Sequence, residues 1–172
     1  MRRVFLSILL VGLSSTLAAC SGVTSPNRPS SARATVERVV DGDTVDLRFG
    51  SGRERVRLLG IDTPETVKPN TTVQCFGPEA SARAKALLPH GTAVRVERDA
   101  EPRDRFGRLL LYLYRVADGL FVNRALVAGG YARTLRIVPN VAHAADLYEA
   151  AAAAQQAGWG LWSSCAGSPR TG

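Results

Sequence analysis

The stretch VVDGDTV at residues 39–45 is followed by RVRLLGIDTPE at residues 55–65, and each joins apolar strand-forming residues to a short acidic cluster. The first cluster is Asp41-Gly42-Asp43-Thr44 and the second is Asp62-Thr63-Pro64-Glu65. Carboxylates gathered at strand ends repel one another unless a positive group lies between them. Calcium and magnesium suit such a place, because they take oxygen ligands from carboxylates, carbonyls and water. The stretch therefore predicts a metal site.

Arg57 lies between the two clusters. A guanidinium cannot ligate a metal, but it pairs well with phosphate. A metal and an arginine together neutralise charge on phosphorus oxygens, so a phosphodiester-cleaving site is the leading hypothesis. Taken alone, the first cluster also fits a tight turn. An EF-hand is excluded, because its sixth and twelfth positions counted from Asp41 hold Asp46 and Gly52.

Strand and helix patterns continue on both sides of this stretch. Alternating apolar and polar residues predict strands at residues 34–40, 44–49 and 53–61, and two more strands are predicted at residues 92–98 and 109–116. Helices are predicted at residues 78–88, 121–127 and 141–157, and residues 66–74 are predicted to form a loop beside the site. Arg53, Arg55 and Arg57 share the polar face of the third strand. We therefore predict an α+β fold, mainly a five-stranded OB-type Greek-key barrel with three helices.

The composition suits one folded domain, because 172 residues with 45% hydrophobic content supply a modest core. We place this domain at residues 34–165 and predict a disordered tail at residues 166–172. The formal net charge is +7, and losing Arg2 and Arg3 with a signal peptide leaves +5. A basic domain favours polyanions, either nucleic acid or anionic lipid.

The N-terminus has the layout of an export signal. Residues 1–19 begin with two arginines, continue as an apolar run and end in small residues, as secretory signal peptides do. The sequence LAAC at residues 17–20 resembles the bacterial lipoprotein processing box, which implies a lipid on Cys20. An ordinary signal peptide cleaved beside a cysteine is the alternative. Residues 20–33 are rich in Ser, Pro and Asn and are predicted to be a flexible tether. We expect an exported protein, anchored on the extracytoplasmic side of a membrane or secreted.

Four motifs together resemble the staphylococcal nuclease (thermonuclease) family, in the family's order and spacing across residues 34–162. They are the two acidic stretches above, FGPEAS at residues 76–81, and DRFGR at residues 104–108. The resemblance implies an OB-fold enzyme that depends on calcium, cleaves DNA and RNA with little sequence preference, and leaves 3′-phosphates. It also implies a monomer.

The resemblance assigns roles to individual residues. Asp43, Asp62 and the Thr63 carbonyl would bind Ca²⁺, with Asp41 acting through water. Glu65 would position or deprotonate the attacking water. The remaining assignments concern the substrate: Arg57 and Arg108 would hold the scissile phosphate, and Arg105 and Phe106 would line the nucleotide pocket.

One departure from the family lies at Leu135 and Ile137, where its best-known member has two tyrosines that flank the bound base. Stacking of an aromatic ring on a base is worth about 1 to 3 kcal/mol, so the departure bears on substrate affinity. An alternative function is a catalytically silent nucleic-acid-binding module, since some relatives keep the barrel and lose the carboxylates. Asp43, Asp62 and Glu65 are all present here, which favours the enzyme. A purely structural lipoprotein would leave the pattern unexplained.

Cys75 and Cys165 are the cysteines that remain once Cys20 is lipidated. Exported compartments are oxidising, so we predict a disulfide between them. The family also implies that His143 pairs with an acidic strand residue and a tyrosine, which here are Glu97 and Tyr114.

Overall fold

The computed structural model describes residues 32–50, 52–66 and 73–165. The predicted signal peptide, the lipidation site Cys20, most of the predicted tether, the middle of the loop at residues 66–74 and the predicted tail lie outside these residues. Two residues assigned to the tether belong to the first strand instead, because Ala32 and Arg33 pair with Val96 and Arg95.

A closed five-stranded barrel forms the body of the domain, as predicted. The strands are β1 (Ala32–Val39), β2 (Thr44–Phe49), β3 (Gly52–Leu58), β4 (Ile61–Asp62), β5 (Ala93–Glu97), β6 (Leu109–Arg115) and β7 (Arg133–Thr134). The strand order in the barrel is β1-β2-β3-β6-β5, with β3 and β6 parallel and the other neighbouring pairs antiparallel. The two short strands β4 and β7 pair with each other outside the barrel.

Four helices accompany the strands in the described part of the chain. They are α1 (Gly77–Leu87), α2 (Val122–Ala128), α3 (Ala144–Gln156) and α4 (Leu161–Ser164). The three predicted helices are present, with ends shifted by up to three residues, whereas the four-residue α4 was not predicted. None of the helices in residues 32–50, 52–66 or 73–165 is both long and apolar enough to cross a membrane.

The core lies inside the barrel and under the helices. Alternate strand residues such as Val36, Leu47 and Val56 are fully buried, and Leu126 of α2 and Leu147 of α3 cover the barrel from outside. Burying one such side chain contributes about 1.5 to 3 kcal/mol, so this alternation fixes which strand face points outward. The polar side chains of the site therefore lie on the outer face.

The predicted strand at residues 53–61 was wrong at its end. It stops at Leu58, because Gly60 takes a φ of 75°, a conformation that favours glycine. The chain then turns and pairs Ile61 with Thr134 and Asp62 with Arg133. A side chain on residue 60 would also clash with the Leu147 side chain. This turn moves Asp62 out of the line of β3.

A polar network joins α3 to the barrel. The His143 Nε2 atom lies 2.8 Å from the Glu97 Oε1 atom and 3.4 Å from the Tyr114 hydroxyl, the partners implied by the sequence. The Tyr112 hydroxyl donates to Asp99 at 3.0 Å, and the Tyr112 ring packs edge-on against His143 with centroids 4.5 Å apart. Strands β5 and β6 thereby hold the start of α3.

Cys75 and Cys165 are joined by a disulfide, with Cα atoms 5.9 Å apart. The bond connects the residues before α1 to the end of α4, across a sequence separation of 90 residues. It ties the chain beside the second acidic cluster to the C-terminal end of the described domain.

Candidate active site

The first acidic cluster forms the turn between β1 and β2. The Val40 amide donates to the Thr44 carbonyl at 2.8 Å, and the Asp43 amide donates to the Asp41 Oδ1 atom at 3.1 Å. A Cβ atom on Gly42 would lie within 2.6 Å of the Thr63 side chain. The turn therefore packs directly against the second acidic cluster, and glycine at residue 42 permits that approach.

Asp43 connects the two clusters by hydrogen bonds. Its Oδ2 atom accepts from the Thr63 amide at 2.8 Å and from the Thr63 hydroxyl at 2.9 Å. Its Oδ1 atom accepts from the Thr44 hydroxyl at 3.2 Å. Asp43 is only 7% exposed, so its orientation is fixed by buried partners rather than by solvent.

Arg57 lies in a cleft rather than on the open polar face expected from β3. Its side chain is 13% exposed, because Nη1 donates to the Leu58 and Ile61 carbonyls at 2.9 and 2.8 Å. Its Nη2 atom lies 2.9 Å from Oδ1 of Asp62 and 3.2 Å from Oδ2 of Asp43. The turn at Gly60 supplies the carbonyls that orient the guanidinium toward both carboxylates.

Burial, and after it repulsion among the carboxylates, raises the pKa of two of them. Burial raises the pKa of Asp41, and the neighbouring Asp43 raises it further. Burial likewise raises the pKa of Asp62; Arg57 acts against this, while Asp43 and Glu65 reinforce it. One arginine thus does not offset the negative charge gathered here, which is the electrostatic condition for attracting a cation.

Glu65 is held by a residue that the sequence did not single out. The Gln74 Oε1 atom accepts from the Glu65 amide at 2.9 Å, and the Gln74 amide donates to the Glu65 carbonyl at 3.0 Å. One Glu65 carboxylate oxygen accepts from the Thr66 amide at 2.9 Å. Gln74 precedes the disulfide residue Cys75, so its backbone is anchored, and that adjacency is the one sequence signal that could have pointed to it.

Asp104 organises the second basic group. Its Oδ2 atom accepts from the Arg108 Nε atom at 2.7 Å, and its Oδ1 atom accepts from the amides of Phe106 and Arg108 at 3.0 Å each. Burial opposes ionisation of Asp104, but the hydrogen bonds from Arg108 outweigh it and lower its pKa. The Phe106 ring is 68% exposed, with the guanidinium carbons of Arg105 and Arg108 at 4.8 and 5.4 Å from its centroid.

The residues to which the sequence assigned a role in the reaction line one cleft of about 530 Å³, within the usual range for small-ligand sites. Its lining includes every residue assigned above to metal, phosphate or nucleotide: Asp41, Asp43, Arg57, Asp62, Thr63, Glu65, Arg105, Phe106 and Arg108. Leu135 and Ile137 are not among the described residues that line it.

The sequence profile described as "Staphylococcal nuclease homologue" matches residues 55–164. Thermonuclease of Staphylococcus intermedius is 42% identical over 127 residues, which cover 74% of each chain. The chain belongs to the staphylococcal nuclease family. Thermonuclease of Staphylococcus hyicus is 39% identical over 128 residues, again 74% of each chain. Endonuclease YncB of Bacillus subtilis is 41% identical over 110 residues, which are 63% of this chain and 51% of that protein.

This staphylococcal nuclease family member is accordingly a nuclease, a hydrolase of phosphodiester bonds whose substrates are nucleic acids. Its cleft supplies what that reaction needs, since carboxylates are grouped with arginines that can neutralise phosphate charge. Within the described residues, no three His, Cys, Asp or Glu side chains are gathered closely enough to hold a metal ion by themselves.

Proposed function

We propose that this family member is a calcium-dependent nuclease that hydrolyses DNA and RNA without sequence preference and leaves 3′-phosphates. One observation carries the proposal: the acidic residues and Arg57 and Arg108 line the same cleft. A cleft built only for binding polyanions would not need four carboxylates in its lining. Their presence beside two arginines suits bond cleavage instead.

Calcium fits the donor set of this cleft. The groups available are oxygens, from the carboxylates of Asp43 and Asp62 and the carbonyl of Thr63, with Asp41 reached through water. Calcium accepts carbonyl and water ligands as readily as carboxylates, so two carboxylates suffice for a site completed by those groups. Burial raises the pKa of Asp62, and Asp43 and Glu65 raise it further against the effect of Arg57, so a bound cation would stabilise the ionised carboxylate. When bound, the cation would supply Lewis-acid stabilisation of phosphorus-bound oxygens.

The chain's own residues account for the remaining steps. Glu65 accepts a proton from the water that attacks phosphorus. Gln74 fixes the backbone amide and carbonyl of Glu65 by hydrogen bonds. Arg57 and Arg108 donate to the oxygens on which negative charge builds. Arg105 and Phe106 position the nucleotide, the ring by stacking and the guanidinium by charge. Cleavage of the P–O5′ bond leaves the phosphate on the 3′ side.

A digestion experiment tests this proposal. Single- and double-stranded DNA and single-stranded RNA are incubated with the protein in calcium, in magnesium and in a chelator. We expect cleavage of all three in calcium, none in chelator, and product 3′-ends that a polymerase extends only after phosphatase treatment. Cleavage that persists in chelator, or products with free 3′-hydroxyls, would contradict the proposal.

We also propose that the nuclease domain, residues 34–165 as delimited from the sequence, is exported and tethered through a lipid on Cys20. The support is the sequence LAAC at residues 17–20 after an apolar segment. Metabolic labelling with a fatty acid should mark the wild-type protein and not a Cys20→Ser variant. An unlabelled wild-type protein released into the medium would indicate a secreted form instead. Sedimentation of the domain should give the mass of a monomer.

A further inference from the structure

A second basic site adjoins the active cleft on the outer face of the barrel. Its centre is Asp46 of β2, whose side chain is 2% exposed. Three guanidiniums surround this single carboxylate, each about half exposed to solvent: Arg38, Arg53 and Arg55. They come from β1 and β3, the two strands that flank β2 in the barrel.

The hydrogen bonds of Asp46 show that the cluster is built rather than accidental. Arg38 Nη2 lies 2.8 Å from Oδ2, Arg55 Nε lies 2.8 Å from Oδ1, and Arg53 Nη2 lies 2.5 Å from Oδ2. Burial opposes ionisation of Asp46, but these arginines hold its pKa well below its usual range. One negative charge therefore orients three positive ones. Glu37 also pairs with Arg53, at 3.1 Å, and with Arg48, so four arginines face two carboxylates and two positive charges remain in excess.

A cavity of about 370 Å³ opens over part of this cluster. Arg53 and Arg55 line it, together with Phe106 and Arg108. Glu54 also lines it, but both of its carboxylate oxygens accept from Arg103, at 2.8 and 3.0 Å. Arg53 and Arg55 keep donors available for an anion, since each guanidinium carries five N–H groups and their ion pairs with Asp46 and Glu37 engage only some of them.

The cavity adjoins the active cleft. Arg55, Phe106 and Arg108 line both the active cleft and this second cavity, whereas Arg53 lines only the second cavity. A polynucleotide whose scissile phosphate lies between Arg57 and Arg108 must leave the cleft on each side. On the side of Phe106 the polynucleotide meets an exposed aromatic ring, which suits a base. It then meets Arg53 and Arg55, which suit a phosphate.

We propose that the cavity around Arg53 binds a phosphate of the substrate polynucleotide outside the bond that is cut. This inference rests on the proposed nuclease function. It places a further phosphate of the substrate outside the cleft that holds the catalytic residues. A concave site next to an exposed ring fits a flexible chain better than the flat surface of an anionic membrane.

Two variants separate binding from stability. Arg53→Gln removes an arginine that lines the second cavity, while Asp46 keeps Arg38 and Arg55 as partners and Glu37 keeps Arg48. Arg38→Gln is the matched control, since it also removes one partner of Asp46 but lines neither cavity. Each variant is compared with the wild-type protein on a dinucleotide, which fills only the active cleft, and on a 12-nucleotide single strand, both in calcium.

We expect Arg53→Gln to lower kcat/KM on the 12-nucleotide strand by about fivefold, as for one charge-assisted contact at a partly exposed site. The slope of log(kcat/KM) against log salt should become shallower by about 0.7, the value for one phosphate contact on a single strand. Dinucleotide cleavage by Arg53→Gln, and both reactions of Arg38→Gln, should remain at wild-type values.

The other outcomes are distinct. Wild-type protein that cuts neither substrate would overturn the nuclease function and this inference with it. Wild-type protein that cuts both, with Arg53→Gln unchanged on both, would overturn this inference alone. An equal loss on both substrates, or an equal loss in Arg38→Gln, would assign the effect to the barrel rather than to phosphate binding. Loss of binding to phosphatidylglycerol vesicles, with oligonucleotide cleavage unchanged, would make the face a membrane surface.

Discussion

The Arg57 Nη2 atom donates to the Asp62 Oδ1 atom at 2.9 Å, so the proposed phosphate-binding arginine is paired with a proposed metal ligand. The Asp62 side chain is 56% exposed and accepts no backbone hydrogen bond among those described. Asp43, in contrast, is buried and accepts from the Thr63 amide and hydroxyl. The two carboxylates therefore contribute differently to folding.

Comparing the alanine variants of Asp43 and Asp62 should separate the effect on metal binding from the effect on stability. We expect Asp62→Ala to weaken calcium binding and activity together, with partial recovery of activity at high calcium and little change in the free energy of unfolding. Asp43→Ala should have the same effects and should also lower the free energy of unfolding by about 1 to 3 kcal/mol, because it leaves buried donors of Thr63 without an acceptor. Calcium titration and urea unfolding measure the two effects. Equal stability losses in both variants would contradict the distinction.

Glu65→Gln tests the proton acceptor. The amide cannot take a proton from water, so kcat should fall by about two or more orders of magnitude, while calcium affinity and stability stay close to wild type. Glu79→Gln is a suitable control, because Glu79 lies in the first turn of α1 and does not line the cleft. Near-normal turnover in Glu65→Gln would remove the assigned role.

Lysine cannot replace the arginines in the cleft. Arg57 places separate nitrogens on the Leu58 and Ile61 carbonyls and on the carboxylates, and an ammonium lacks that planar geometry. We expect Arg57→Lys and Arg108→Lys each to lower kcat by about tenfold or more, on the scale of losing one transition-state donor. Arg124→Lys, on an exposed pair with Asp146, should be neutral. Full activity in either cleft variant would show that charge alone is sufficient.

The Asp46 cluster should make stability depend on pH. Its carboxyl has a lowered pKa in the folded protein, so its stabilising contribution is complete above the unfolded value of 3.8 and declines as the pH falls below it. Asp46→Asn should therefore be less stable than wild type at neutral pH, and the difference should shrink below about pH 4. Urea unfolding at pH 7, 5, 3.5 and 2.5 measures this. A difference that stays constant across that range would contradict it.

The disulfide should stabilise the domain by about 4 to 5 kcal/mol on the chain-entropy model, given the 90-residue separation of its cysteines. The double replacement Cys75→Ser with Cys165→Ser should lower the free energy of unfolding by that order. A thiol assay on the denatured, unreduced wild-type domain should detect neither cysteine. Two reactive thiols in that assay, or unchanged stability in the variant, would rule out the bond as a stabilising element.

Much of the barrel could be predicted because its first three strands show a two-residue alternation along the sequence, and β6 is a short run of strand-forming apolar residues. The end of β3 could not, since Leu58, Gly60 and Ile61 continue the apolar pattern and a single glycine is also compatible with a strand interior. Strands β4 and β7 have two residues each, too few for a pattern. Their pairing is decided by tertiary packing around the turn.

The cleft residues could be predicted because they occur in contiguous motifs. Gln74 was missed because it lies in a polar segment. Its backbone amide donates to the Glu65 carbonyl and its side-chain oxygen accepts from the Glu65 amide, contacts that a sequence pattern does not show. The Asp46 cluster was missed because its members come from three strands. Arg53 and Arg55 were correctly placed on one face, but only strand register brings Arg38 and Asp46 beside them.

The bond between Cys75 and Cys165 also has a consequence for the cell that makes the enzyme. Thiols stay reduced in the cytoplasm of most bacteria, where this cross-link would not form. A stability difference of about 4 kcal/mol corresponds to roughly a thousandfold change in the ratio of folded to unfolded protein. In the cytoplasm, newly made nuclease would therefore be unfolded more often and more open to proteolysis. That is the compartment in which it could reach the chromosome and transcripts of the cell that makes it.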